Sequence, residues 1–357
     1  MIFDWDNTCI FHDAEEALFL YQIDHLAFKL TPSQFESIIK RNVTDNSFSD
    51  DYRNTDGGPV TLKSISKDLE RDYCYLYDHY EKFKGSEPLE EIRLTDYFKD
   101  FKVKLYFLYA AIGGTYGPEV AYPWMQRLFT NMTVQEVQKL AETSNDFNLG
   151  QALANVHLTS PELLSGSAGK VVVYYVSGLR VISEISNLMN TFRKRGIDVF
   201  IVSASMEEIV EVFAANPKYG YGLPKENVFG TRLRKKNGIM QSIQQDNWPV
   251  AAHHGKTLII RREIAAKRNG TEPLLVAGDS SSDYEMLTEF KNMKLGLIIN
   301  CLQKGNIADL SEKCSLEIKE SGPTYALQGR NENTGLLHLY ESTTKLGTNE
   351  IVLLPDR

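Results

Sequence analysis

Residues 178–205, GLRVISEISNLMNTFRKRGIDVFIVSAS, restrict the fold of this chain more than any other stretch. Val181, Ile185, Leu188 and Phe192 recur at helical spacing, and Arg193, Lys194 and Arg195 fill the turn before Gly196, where cations favour a helix end. IDVFIV follows as an apolar strand with no polar alternation, so both of its faces must be covered. The same unit recurs. TLIIRREIAAKRNG (257–270) reads as a helix closed by Gly270 and runs into the strand PLLVAG, and KLGLIIN (294–300) is a further buried strand. VVVYYV (171–176) reads as another buried strand. Continuous apolar strands alternating with helices predict an α/β fold, a doubly wound, Rossmann-like parallel sheet.

From about 14 to 165 the style differs, being helical in pattern and rich in Tyr and Phe. TPSQFESIIKR (31–41) offers Thr31 as an N-cap with Pro32 at the first helical position. TNMTVQEVQKLAETS (130–144) repeats the device with Thr133 and, three residues on, Glu136. IGGTYGPEVAYPW (112–124) reads as a loop, and its glycines lack the strand–helix frame of a nucleotide fingerprint. The opening residues MIF belong with the later strands, so the organisation is discontinuous. We expect a catalytic core of 1–13 and 171–300, a helical insertion of 14–170, and a C-terminal extension of 301–357 packed on the core. In that extension TYALQGRNENTG (324–335) reads as a loop, and Arg330 as a surface residue, with a reach to the site as the alternative.

The 357 residues are ample for a large core, and the net charge of −8 comes with no basic run, which disfavours nucleic acid as a partner. No apolar run approaches the roughly 18 residues of a membrane span, so a soluble protein is expected. Asp4 and Asp6 interrupt the place where a signal peptide would need its apolar region. MIF is a short entry for a central strand, which is compatible with a trimmed start and leaves cytoplasmic, periplasmic and secreted locations open. The four cysteines, Cys9, Cys74, Cys301 and Cys314, form no CxxC and read as buried thiols.

Four polar clusters follow strands or open helices: FDWDNT (3–8), VSAS (202–205), HHGK (253–256) and GDSSSD (278–283). Such positions are where α/β sheets hold ligands. Their order and spacing resemble the haloacid dehalogenase-like superfamily, and within it phosphatases with large helical caps, of the phosphoserine phosphatase-like and phosphorylcholine phosphatase-like type. DWDNT, VFIVSAS and YPWMQRLFTNMT (122–133) carry the finer likeness.

The resemblance implies a phosphomonoester hydrolase with an aspartyl-phosphate intermediate. Asp4 would be the nucleophile and Asp6 the general acid and base, chemistry that a second acid two residues on is suited to. Ser203 would bond a phosphoryl oxygen, with Ser205 the weaker candidate, and Lys256 would neutralise charge, ahead of Lys225, Lys235 and Lys236. Two carboxylates facing a phosphate dianion require a cation, and Mg²⁺ suits oxygen donors. Asp4, Asp6 (through its carbonyl), Asp279 and Asp283 are the implied metal residues, Asp283 lying behind the others. Asn7 and Thr8 would fix the loop through side-chain bonds to backbone.

On the substrate side, Asp13 matches in spacing the acid that phosphoserine phosphatases set against an ammonium group, and Glu15 and Glu16 are its neighbours. Acids there also suit a helix N-terminus. Aromatics near the acids, Trp5, Tyr106, Phe107, Tyr109, Tyr116, Tyr122 and Trp124, offer either a cage for a quaternary ammonium or ordinary packing. A small phosphate ester such as phosphorylcholine or phosphoserine is the expected substrate. The alternatives are a phosphotransferase or mutase of the same fold and a non-catalytic phospholigand-binding protein.

Overall fold

In the computed structural model, which describes residues 1–317 and 324–355, six parallel strands form the central sheet. They are β1 (Ile2–Phe3), β2 (Phe200–Met206), β3 (Val228–Thr231), β4 (Leu275–Gly278), β5 (Leu295–Ile299) and β6 (Tyr325–Gln328). Their order across the sheet is β6-β5-β4-β1-β2-β3. Every residue of β2 is buried, Ser203 and Ser205 as well as the apolar ones, as a strand covered on both faces requires. The chain builds one flank with β2 and β3 and the other with β4 to β6. The order therefore reverses between β1 and β4, the place where such sheets open a crevice. β1 is short, but the ladder continues beyond it, with Asp4 N–H donating to Ala277 O at 2.9 Å.

Between β1 and β2 lies a large helical region. Its helices are α1 (Ala14–Asp24), α2 (Pro32–Ile39), α3 (Leu62–His79), α4 (Asp96–Tyr116), α5 (Pro118–Gln126) and α6 (Val134–Leu149). Thr31 and Thr133 close full capping boxes with Gln34 and Glu136, so these two helices start where the local sequence satisfies their orphan N–H groups. The region has its own core, in which Phe35 stacks on Tyr73 with ring centroids 4.1 Å apart beside Phe101. Helices α7 (Ser183–Lys194), α8 (Glu207–Ala214) and α9 (His254–Ile259) belong to the βα units around the sheet. Among the described residues, no helix is long and apolar enough to cross a membrane.

Three expectations are corrected. VVVYYV does form a strand, Val172–Ser177, but it pairs antiparallel with Ala154–Thr159 in a ribbon outside the central sheet. Only one face of that ribbon is covered, by the helical region, and Tyr174 is 72% exposed. An apolar run of this length looks alike whether it covers a bundle or fills a sheet. IGGTYGPEVAYPW is helical rather than a loop, with the break between α4 and α5 at Gly117, whose φ of 91° favours glycine. Residues 325–328 are the edge strand β6, because Tyr325 and Leu327 turn into the core. A small four-stranded sheet of Arg330–Asn331, Leu336–Leu337, Thr343–Thr344 and Ile351–Val352 follows it. Of the cysteines, Cys9 and Cys314 are buried, whereas Cys74 is exposed.

Candidate active site

Asp4 follows β1 directly and is 6% exposed. Trp5 turns away into the sheet core with Phe3, edge-on to Tyr221 at 4.9 Å and Phe213 at 5.5 Å. The loop then folds back on itself. Thr8 Oγ1 donates to Asp279 Oδ1 at 3.1 Å, and the Cys9 thiol donates to Asp4 O at 2.9 Å. Asp6 is held from two sides: Ala14 N–H, at the start of α1, donates to Oδ1 at 2.7 Å, and Ser205 Oγ donates to Oδ2 at 2.6 Å. Burial, and next the charge of Asp13, push the Asp6 carboxyl well above the ordinary carboxylate range, against these two bonds.

Lys256 lies in the first turn of α9 and is 1% exposed. Its Nζ donates to Asp4 Oδ1 at 2.5 Å and to Asp283 Oδ1 at 2.6 Å. Burial opposes its charge, but Asp283 and Asp4 outweigh that and raise its pKa, so it remains an ammonium. The other Asp283 oxygen accepts from the amides of Asp279 (3.0 Å) and Ser280 (3.1 Å). Asp283 thus fixes the turn after β4 and Lys256 together. The turn needs Gly278, since a Cβ there would stand 2.5 Å from the Asp283 Cβ.

Carboxylate oxygens of Asp4, Asp279 and Asp283 lie within 4.8 Å of one another, all buried. Burial and the Asp283 charge raise Asp4 to about 7 against the pull of Lys256. Burial, Asp283 and Asp4 push Asp279 well above the ordinary range. Four buried acids converge here, with Lys256 between two of them and Arg330 the next cation. A donor set of carboxylate oxygens with surplus negative charge fits a hard divalent cation such as Mg²⁺. A bound cation would remove the repulsion that raises Asp4 and return it to the ionised form.

The family model for haloacid dehalogenase-like hydrolases matches residues 180–288, the stretch that supplies Ser205, Lys256, Asp279 and Asp283. Over this stretch, about a third of its length, the chain is similar to the haloacid dehalogenase-like hydrolases. The matched stretch omits Asp4 and Asp6, which β1 brings in from the far side of the helical region. Phosphorylcholine phosphatase of Pseudomonas aeruginosa is 30% identical over 118 residues, 33% of this chain and 31% of that protein. The match thus spans about a third of that relative's length. A solved structure of a conserved, functionally unknown protein from Anaerococcus prevotii is similar throughout. It has 32% identity and a TM-score of 0.88, covering 98% of this chain and 90% of that one.

In this chain Asp4, Asp6, Lys256, Asp279 and Asp283 come together, and Ser203 stands behind Ser205. Ser203 Oγ is 3.5 Å from Asp6 Oδ2 and accepts from Ser205 N–H at 3.2 Å. Asp13 does cap α1, accepting from Glu16 N–H at 2.8 Å, and its second oxygen accepts from Tyr122 Oη at 3.0 Å. Glu15 faces the interior instead. It is fully buried and accepts from Met206 N–H at 3.0 Å and from Gln126 Nε2 at 3.1 Å, tying β2 to α1 and α5.

Trp5 is a core residue, as noted. Tyr116 bonds Thr44 Oγ1 at 2.7 Å and packs on Phe48, and Trp124 is fully buried with Nε1 on Ile39 O at 2.9 Å. Both belong to the helical core, where aromatic bulk fills space. Lys225 and Lys236 sit elsewhere, and Lys235 pairs with Glu208. Among the aromatics, Tyr106 and Tyr122 do reach acids, donating to Glu16 and Asp13. For Arg330 the surface reading gives way to its alternative, a reach to the site. Arg330 is 2% exposed, with its guanidinium on the loop after Asp6. The signal was the apolar alternation YAL before Gln328, the same strand-then-polar pattern as the other site clusters.

Proposed function

We propose that this protein is a Mg²⁺-dependent phosphomonoesterase acting on a small phosphorylated amine through an aspartyl-phosphate. The observation that carries the reading is the contrast between Asp4 and Asp6. Asp4 touches an ammonium, which favours its ionised, nucleophilic form. Asp6 touches no cation and holds a proton above the usual range, as a general acid must.

An Asp4 oxygen attacks phosphorus while the bond from phosphorus to the leaving oxygen breaks and Asp6 gives that oxygen its proton. Asp6, now ionised, takes a proton from water as the water attacks phosphorus and the bond to Asp4 breaks, releasing phosphate. Lys256 neutralises charge on Asp4 throughout. Mg²⁺, held by Asp4, the Asp6 carbonyl and Asp279 with Asp283 behind, would supply charge stabilisation at the phosphoryl oxygens. Ser205 orients Asp6, and Ser203 is the residue left to meet a phosphoryl oxygen.

The substrate class rests on a cavity of about 380 Å³ beside Asn7, where Asp13, Glu16, Tyr106 and Tyr175 form part of the lining. Acids bordered by tyrosines suit an ammonium group. The helical insertion acts as a cap, delivering Tyr106 and Tyr122 from α4 and α5 to those acids. The likeness to a phosphorylcholine phosphatase agrees with this substrate class. Phosphate release from phosphorylcholine, phosphoethanolamine, phosphoserine and uncharged esters with Mg²⁺ tests the reading. Activity on the amines, lost in Asp4→Asn with an unchanged melting temperature, supports it. Full activity in Asp4→Asn, or none on any ester, sinks it.

A further inference from the structure

The reading of Asp6 as acid and base leaves one demand open: what keeps the loop that carries it in place. Asn7 follows Asp6 with φ of 58°, a left-handed conformation that Asn tolerates but does not fix. Two bonds close a turn from it to His12, Asn7 N–H to His12 O at 3.1 Å and His12 N–H to Asn7 Oδ1 at 3.2 Å.

A remote part of the chain holds that turn. Arg330 Nη1 donates to Asn7 O at 2.8 Å and Nη2 donates to Asn7 Oδ1 at 3.0 Å. The remaining donors grip Glu332, with Nε 2.6 Å from Oε1 and Nη2 2.9 Å from Oε2. The guanidinium lies 4.4 Å from the centre of the Phe11 ring, and Glu332 Oε2 stands 3.6 Å from His12 Nε2. Three residues of one turn, Asn7, Phe11 and His12, are therefore engaged by two residues of the C-terminal sheet. The backbone N–H of Arg330 donates to Thr343 Oγ1 at 3.1 Å, a bond of the sheet in which the guanidinium takes no part.

We propose that Arg330 is a positioning residue for the reaction: its guanidinium locks the Asn7–His12 turn and so aims Asp6 at the leaving oxygen. It touches neither of the two catalytic acids and is distinct from Lys256 in role. Only a planar fork can meet a carbonyl, an amide oxygen and a carboxylate at once, so lysine is no substitute.

The test compares wild type, Arg330→Gln, Arg330→Lys and Thr343→Val, all in the full chain. Thr343→Val weakens the anchoring of the C-terminal sheet while keeping the guanidinium. An alkyl phosphate needs a proton on its leaving oxygen, whereas 4-nitrophenyl phosphate does not. A mis-aimed Asp6 therefore lowers kcat/KM for the alkyl ester by about 100-fold and for the aryl ester by less than about 5-fold. Arg330→Gln and Arg330→Lys should both show this split, and Thr343→Val should not. Hydrogen exchange gives a readout independent of turnover, with the amides of 7–12 exchanging faster in Arg330→Gln than in Thr343→Val. Equal loss on both esters, the same split in Thr343→Val, or unchanged exchange at 7–12 overturns the proposal. A wild type inert on every ester refutes the functional reading instead, and the exchange comparison still decides the clamp.

Discussion

Ser205 donates to Asp6 Oδ2 at 2.6 Å, whereas Ser203 on the same strand lies 3.5 Å from that oxygen. The bond from Ser205 favours the ionised form of Asp6. Ser205→Ala should therefore let Asp6 keep its proton to higher pH, moving the alkaline limb of the kcat/KM profile upward. Losing the orienting bond should also lower kcat about tenfold. Ser203→Ala should leave the limb in place. A pH–rate profile of both variants on one ester checks this.

Lys256 is buried between Asp4 and Asp283, so removing it leaves two acids without their ammonium. Lys256→Met should destabilise the metal-free protein by about 3–5 kcal/mol, as broken buried pairs do. Phosphate release should be abolished. Urea unfolding with and without Mg²⁺ measures the first effect, and the loss should shrink when the cation is present.

Gly278 leaves room for Asp283, and a methyl group there meets the Asp283 Cβ at 2.5 Å. Gly278→Ala should displace the carboxylate that fixes the Asp279 and Ser280 amides. Because residues behind metal ligands set their aim, Mg²⁺ affinity should fall about 10- to 100-fold. Calorimetric titration of Mg²⁺ into both proteins tests it, and unchanged affinity would show that Asp283 yields without cost.

Glu15 is raised by burial, and next by the Asp13 charge, from 4.5 to about 8. A carboxyl that binds its proton more tightly when folded stabilises the fold below pH 4.5 in full. That contribution is lost as pH rises from there to about 8, at up to about 1.4 kcal/mol per pH unit. Glu15→Gln should flatten this slope and be the more stable protein above pH 8. Its amide can donate to Gln126 Oε1, a buried oxygen with no partner among the described residues. Melting temperatures from pH 5 to pH 9 measure the difference.

The sheet was legible because strands buried on both faces must be apolar, and VFIV, LLVAG and LGLII are. The acids and Lys256 were legible because each follows a strand or opens a helix, where the backbone direction alone aims them at one edge. VVVYYV misled for the converse reason. Its apolar side chains satisfy a helical bundle as well as a sheet, and only packing tells these apart.

By itself, the sequence determined where helices begin, which strands lie inside, and which residue types can do phosphoryl chemistry. These follow from hydrogen-bond capping, from burial and from the acidity of side chains, all local properties. Only the tertiary structure set Ser205 rather than Ser203 closest to Asp6, turned Trp5, Tyr116 and Trp124 into packing, buried Glu15 against Met206 and Gln126 and carried Arg330 to the loop after Asp6. Each is a choice among residues of equal local merit, made by contacts such as those 111, 199 and 323 residues apart along the chain.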